Sequence, residues 1–188
     1  SHSHQILWHL MQRHQTRTCT VLMGPNQVHG YLDESGAVVT QMELVTQPQP
    51  MALVLDSTEW SLFHVDVGNP HLILLDCDHD ARWLEAHADL MVLQLGLMQG
   101  ANVHLVKASG GHHYEMLIHE RGVGLTHACS SGAMALMALL WDQQSYLKDE
   151  LVMIRMPGGV LCAQYDGCRV QLRAPVVSVL EGQLLHMD

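Results

Sequence analysis

The run from His119 to Ala133, His-Glu-Arg-Gly-Val-Gly-Leu-Thr-His-Ala-Cys-Ser-Ser-Gly-Ala, constrains this chain more than any other. A strand-like segment, Tyr114 to His119, enters it, and Gly122 and Gly124 punctuate a turn. A helical run, Ala133 to Trp141, leaves it, with Cys129 at the junction. The first N–H groups of a helix have no partner inside the helix, and with the macrodipole they form a site for an anion such as a carboxylate. The candidate donors are the N–H groups of Ser130, Ser131, Gly132 and Ala133. A cysteine at a helix start can have its pKa lowered toward neutrality, which suits it to giving and taking protons. A plainer reading stands beside this one: Ser130-Ser131 as an ordinary N-cap and Cys129 as a small buried hydrophobe.

Composition narrows the partners. The chain has 188 residues, enough for one or two modest cores, and 48% of them are hydrophobic. A formal charge of −10 argues against nucleic acid or an anionic membrane as partner, but leaves room for an anionic substrate held by local donors. The longest apolar run, Ala133 to Trp141, falls far short of the ~20 residues that span a bilayer. The start carries no basic segment leading into an apolar one, so a cytoplasmic location is expected. Five cysteines without regular spacing fit a reducing compartment better than a disulfide framework. Ser1-His2-Ser3-His4 reads as a tag scar or an internal start.

Fifteen histidines bring metal binding into question. Asp76-Cys77-Asp78-His79-Asp80 and His112-His113 contain ligand types, and His2 and His4 could join them. Their spacing matches neither a zinc finger nor a His-Glu-x-x-His helix. Asp76 to Asp80 reads instead as an acidic turn capping the next helix. No metal and no cofactor are expected.

Hydrophobic periodicity sets out the elements in order. Gln5 to His14 is predicted as a helix, with Ile6, Leu7, Leu10 and Met11 on one face. Thr18–Met23, Gln27–Leu32 and Ala37–Val45 are predicted strands, with Gly24-Pro25-Asn26 and Asp33 to Gly36 as turns. Gln47-Pro48-Gln49-Pro50 reads as a linker and domain boundary. Beyond it come strands at Met51–Leu55, Trp60–Val67 and Leu72–Leu75, with Gly68 to His71 as a turn, and then a helix from Asp80 to Leu95. Strands follow at Asn102–Val106 and His113–His119, and the helix after Cys129 runs to about Leu147. Leu151–Met156, Val160–Tyr165, Arg169–Leu172 and Val176–Leu180 complete the strands. Many short strands with few helices make an α+β pattern.

Four segments carry the chemistry: Gly68-Asn69-Pro70-His71, Ala101-Asn102-Val103, Glu120-Arg121-Gly122-Val123-Gly124 and Ala128-Cys129-Ser130-Ser131-Gly132-Ala133. Pro157-Gly158-Gly159 and the tail from Ala174-Pro175 through Glu181-Gly182 accompany them. In this order they resemble the diaminopimelate epimerases, pyridoxal-independent amino-acid epimerases, over nearly the whole chain from about Gln5. The resemblance implies two similar domains, each an antiparallel β-barrel-like set of strands around a central helix, with an amino-acid substrate in the cleft between them. The first domain would be truncated: residues 1–49 plus 175–188 would be its remnant, and residues 50–174 the second domain. One cysteine from each domain would face the substrate α-carbon, one as thiolate base and one as thiol acid. Cys129 matches the cysteine of the second domain, and His71 a histidine near the catalytic centre. Ser130 and Ser131 match the carboxylate-holding helix start, and Asn69, Asn102, Glu120 and Arg121 match residues that bind the substrate's charged ends.

The chemistry agrees with those residue types. An amino-acid α-proton is weakly acidic, so its removal needs fixed dipoles on the carbanion and carriers with tunable pKa on both faces. Against the resemblance stand three departures. The Cys-Gly-Asn-Gly loop that precedes the first helix in the family is not in this chain, and Cys19 falls after that helix; Cys77, Cys162 and Cys168 read as structural. Leu125 stands where the family usually has Glu, and Ser130 where it usually has Gly. Three functions therefore compete. One is a diaminopimelate epimerase (LL to meso, toward lysine and peptidoglycan) lacking its first cysteine. The second is a racemase of the same fold with another substrate. The third is a non-catalytic amino-acid-binding domain. A small-molecule substrate is the expected partner, and a homodimer is one assembly the sequence allows.

Overall fold

A helix that is apolar all round cannot lie on a surface; it needs a coat on every side. That requirement shapes the architecture. The computed structural model describes residues 2–23, 26–44, 46–145 and 150–176. In chain order the elements are α1 (His2–Arg13), β1 (Thr18–Met23), β2 (Asn26–Leu32), β3 (Val38–Glu43), β4 (Gln49–Leu55), β5 (Thr58–Asp66) and β6 (Pro70–Leu75). Then come α2 (Ala81–Gln94), β7 (Asn102–Ala108), β8 (His113–Glu120), β9 (Gly124–Leu125), α3 (Ser130–Asp142), β10 (Val152–Met156), β11 (Gly159–Tyr165) and β12 (Arg169–Ala174). Every residue of α3 from Gly132 to Leu140 is buried.

The coat is one 12-stranded sheet in the order β1-β2-β3-β12-β11-β10-β8-β7-β6-β5-β4, with β9 paired to β8. Helix α3 touches β11 and β12 and also β5 and β6, which are far apart in that order. The sheet must therefore curl around the helix. Val65, Ile73, Val106, Met116 and Ile118 meet α3 from one side, and Leu161, Ala163, Tyr165 and Leu172 from the other. Each valine, leucine, isoleucine or methionine among them, taken fully out of water, contributes about 1.5–3 kcal/mol. On the opposite face of β6 and β7, Leu72, Leu74, Val103 and Leu105 pack with Leu84, Ala88 and Met91 of α2. Burial on both faces explains the unbroken apolar run Leu72–Leu75.

The fold is α+β, as the sequence predicted, but its pairing is mixed rather than wholly antiparallel. Strands β6 and β7 run parallel across the α2 crossover, and β8 and β10 run parallel across α3. Both connections are long enough to hold a helix, which parallel neighbours require. Most element boundaries fall within a few residues of expectation. The linker does not: Gln49 and Pro50 already belong to β4, opposite His64 and Phe63. Strand β4 lies at the edge of the sheet, where proline is tolerated. Pro70 and His71, expected in a turn, begin β6. Helix α3 stops at Asp142, short of Leu147, and Gln144 follows with a φ of 55°. The strand expected at Val176–Leu180 and the tail at Glu181-Gly182 fall outside the described residues, apart from Val176.

Helix α1 lies on β1–β3, with Leu7, Met11, Val28 and Val38 as its core. Leu7 sits where a Cβ on Gly30 would come within 2.8 Å of it, so only glycine lets α1 approach β2 this closely. His4 is part of this packing. It is 1% exposed, and its Nε2 lies 3.3 Å from the Leu172 carbonyl. Burial pushes its pKa down to about 4.

Candidate active site

The site forms where the starts of β6, β7 and α3 converge. Cys129 is itself the N-cap of α3, in extended conformation at φ −137° and ψ 108°. Its Sγ accepts the Gly132 N–H at 3.3 Å, and its carbonyl accepts the Ala133 N–H at 3.1 Å. Of the four N–H donors expected, two are thus used inside the cap. Those of Ser130 and Ser131 remain for a ligand. Ser131 Oγ lies 3.4 Å from Cys129 Sγ and accepts from Asn69 Nδ2 at 3.4 Å, so Asn69, Ser131 and Cys129 form one chain of contacts.

His71 is the second residue of β6, and the parallel register sets His71 beside Asn102 and Ile73 beside His104. Alternation puts His71 and His104 on the face that meets α3. Their rings stack with centroids 5.0 Å apart, and His71 Nδ1 shares a 2.8 Å hydrogen bond with His104 Nε2. Both are 0% exposed. One nitrogen of each and the Cys129 sulfur all lie within 4.8 Å of one another. Gly132 makes this possible, since a Cβ there would stand 2.7 Å from His104 Cε1 and 2.9 Å from its Nε2.

The charged pair divides its duties. Glu120 Oε1 accepts from Thr126 Oγ1 at 2.9 Å, and the carboxylate acts on the Cys129 thiol. Arg121 points elsewhere. Its backbone N–H donates to Asn102 Oδ1 at 3.0 Å, and its guanidinium donates to the Gln99 carbonyl at 2.7 Å. The Arg121 stem covers Gly100, where a Cβ would come within 2.5 Å of Cδ. Asn69, His71, Glu120, Ser131 and Cys129 are thus joined, and Asn102 is tied to the group through the Arg121 backbone. A cavity of about 110 Å³ opens between Cys129, Ser130, Gly158, Gly159 and Pro175. It suits one small polar group; whole-ligand pockets run to roughly 300–1,000 Å³.

Electrostatics reverse one expectation. Burial pushes the Cys129 thiol up, against the pull of Ser131 and Gly132, and Glu120 pushes it further the same way. The helix start does not win, because a thiolate here loses more hydration than two weak donors return. Burial also holds His71 down to about 3, with His64 adding to it. His104 lies well below its ordinary value through burial and its neighbours His71 and His119. At neutral pH the cluster is a thiol beside two neutral imidazoles. His104 lies one residue beyond the Ala101-Asn102-Val103 motif, so motif order alone does not single it out. Its signal was the alternation of β7, since it shares a face with Asn102.

The sequence profile described as diaminopimelate epimerase matches residues 63–173, from the middle of β5 to the end of β12. The chain belongs to the diaminopimelate epimerase family. A diaminopimelate epimerase of Rhodococcus opacus is 33% identical over 166 residues, covering 85% of this chain and 56% of that protein. Another, of Acidothermus cellulolyticus, is 34% identical over 128 residues, covering 64% of this chain and 40% of that protein. This family member thus spans about half the length of the curated relatives it matches. Among solved structures it is similar to a PhzF-family phenazine biosynthesis protein of Bacillus anthracis. The TM-score is 0.70 at 11% identity, over 98% of this chain and 75% of that one. A protein of Pseudomonas aeruginosa described as a predicted epimerase aligns with a TM-score of 0.61 at 16% identity, over 94% of this chain and 73% of that one. At such identities the likeness is one of fold. Among the described residues, no helix is long and apolar enough to cross a membrane.

Proposed function

We propose that this chain carries one half of a cofactor-independent epimerase site, with Cys129 as one of two proton carriers at the α-carbon of an amino acid. Diaminopimelate, acted on by the family's named members, is the favoured substrate. The observation that carries the reading is the Cys129 cap: a buried thiol beside the two spare N–H groups of Ser130 and Ser131, against a cavity of about 110 Å³. A substrate carboxylate on those N–H groups would bring its α-carbon next to Sγ.

The raised pKa makes Cys129 the acid at rest. It would donate its proton to the carbanion, and the thiolate left behind would be held by Gly132 N–H and Ser131. Glu120 keeps the thiol protonated between turnovers. Asn69 holds Ser131, and His71 borders the thiol. Arg121, turned to Gln99, would have to leave that carbonyl to meet a second carboxylate. The opposite face of the α-carbon needs a base, which in the family is a cysteine of the first domain. We assign residues 1–49 and 175–188 to that domain and residues 50–174 to the domain of Cys129. The second carrier would come from a segment or chain beyond these residues.

The test is wash-in of deuterium. Incubated in heavy water with LL- or meso-diaminopimelate at alkaline pH, where Cys129 is partly thiolate, the chain is expected to exchange the α-proton from one face with retention: the thiolate takes the proton, the thiol exchanges it with solvent, and the deuteron returns to the same face. Cys129→Ala abolishes the exchange. Exchange that survives Cys129→Ala, or full inversion by this chain alone, would defeat the assignment. Binding of diaminopimelate with no exchange in wild type would favour the amino-acid-binding reading.

A further inference from the structure

Four buried side-chain nitrogen or oxygen atoms lack a hydrogen-bond partner among the described residues: His64 Nε2, His71 Nε2, His104 Nδ1 and Ser130 Oγ. Native structures leave few such atoms, and each needs an explanation. Three of the four belong to the Cys129 site. The same place gathers two neutral imidazoles and a thiol whose ligand atoms lie within 4.8 Å of one another. No other part of the described chain combines such a gathering with orphaned nitrogens.

We propose that His71, His104 and Cys129 form a binding site for a soft divalent cation of the zinc type. The ligand set is right in kind: imidazole and thiolate suit zinc, and three protein ligands leave one coordination position open. It is nearly right in size. Bonds of about 2.0–2.1 Å to nitrogen and 2.3 Å to sulfur set ligand atoms about 3.3–3.6 Å apart in a tetrahedron. His71 Nδ1 and His104 Nε2, 2.8 Å apart, would give up their hydrogen bond and part by about half an ångström, and the Cys129 sulfur, within 4.8 Å of the ligand nitrogens, would move in by up to about an ångström. His71 and His104 lie on adjacent parallel strands and Cys129 on a helix cap, so the backbone already fixes all three. The motif is invisible to spacing rules because residues 71, 104 and 129 come from three separate elements.

Binding is redox-neutral. The S–H bond breaks as the sulfur–metal bond forms, and the proton goes to solvent. Metal and proton transfer therefore exclude each other at Cys129, and the cation-loaded chain has lost its proposed proton carrier. Cation binding at these three residues is independent of epimerase activity and is detected through the cation itself.

Cobalt(II) is the probe, added to the reduced, chelator-stripped 188-residue chain. Expected are one strongly bound equivalent and a thiolate-to-cobalt charge-transfer band. Cys129→Ser should abolish the band, and His104→Gln should weaken binding at least tenfold. A band that persists in Cys129→Ser, or binding unchanged in His104→Gln, overturns the proposal. A variant-free measurement guards against misfolding: in wild type, one equivalent of cobalt or zinc should block alkylation of Cys129 while exposed Cys168 still reacts. Equal protection of both, or of neither, also overturns it.

Discussion

Gly132→Ala tests the packing of the site most directly. The glycine is the third residue of α3, where alanine is favoured by up to about 1 kcal/mol on helix propensity alone. Against that, the new Cβ would stand 2.7 Å from His104 Cε1, 2.9 Å from His104 Nε2 and 2.7 Å from Met116 Cε. Carbon atoms rest at about 3.5–4.0 Å, so the overlap approaches an ångström. Met116 can swing its terminal methyl away. His104 cannot move so easily, being 0% exposed and stacked on His71. Overpacking of this kind costs about 1–3 kcal/mol, and the fixed His104 ring puts this case at about 2–3, which leaves a net loss of about 1–2 kcal/mol after the full propensity gain. For a chain of this size that lowers Tm by about 2–8 °C. Thermal denaturation of wild type, Gly132→Ala, His104→Ala and the double variant measures it. The loss should largely vanish in the His104→Ala background, because the obstacle is gone. A Gly132→Ala chain as stable as wild type, or a loss undiminished without His104, refutes the reasoning.

Other outcomes follow from single contacts. Glu120→Gln removes a carboxylate that raises the Cys129 pKa, so the midpoint of its alkylation rate against pH should move down; no movement would separate Glu120 from the thiol. In Gly158→Ala the Cβ would meet the His127 carbonyl at 2.9 Å, two residues before Cys129. It should cost about 1–3 kcal/mol in urea denaturation and alter Cys129 alkylation. Tyr165→Phe leaves the Leu44 carbonyl without its 2.7 Å bond and should cost about 1–3 kcal/mol. His4 has a folded pKa of about 4 against 6.5 for the free side chain, so the unfolded chain binds more protons between those values. Its contribution to stability is full above about pH 6.5 and is lost as pH falls toward 4, at up to about 1.4 kcal/mol per pH unit. His4→Gln should be less acid-sensitive than wild type over that range.

Local signals in the sequence held where local physics decides. Glycine turns, alternation and the apolar periods of α2 and α3 gave nearly every element, because each depends on residues a few positions apart. Pairing was less legible. Nothing in Leu72–Leu75 distinguishes a parallel neighbour from an antiparallel one, and Pro50 reads as a breaker until its strand is known to be an edge. Motif order singles out Asn69, Glu120 and Cys129, which the fold brings together. His104 escaped, since its role comes from ring stacking across two strands. The direction of the Cys129 pKa was missed for the same reason: burial depends on everything packed around the cap, whereas the N–H groups are read from three residues.

The seam between β3 and β12 has a kinetic consequence. Residues 38–43 pair with residues 169–174, and bonds such as that from Gln41 to Gln171 close a separation of 130 positions. Such a contact cannot form early, since its loop-closure entropy must be met before neighbouring contacts reward it. α1 and β1–β3 reach the rest of the sheet mainly through that one ladder, with Arg173–Asp33 and Tyr165–Leu44 beside it. They form a natural unit of partial opening. In native-state hydrogen exchange, amides of β1 and β2 should exchange together at a free energy below that of α3. The half of the sheet that holds Cys129 would stay closed while the other half comes away.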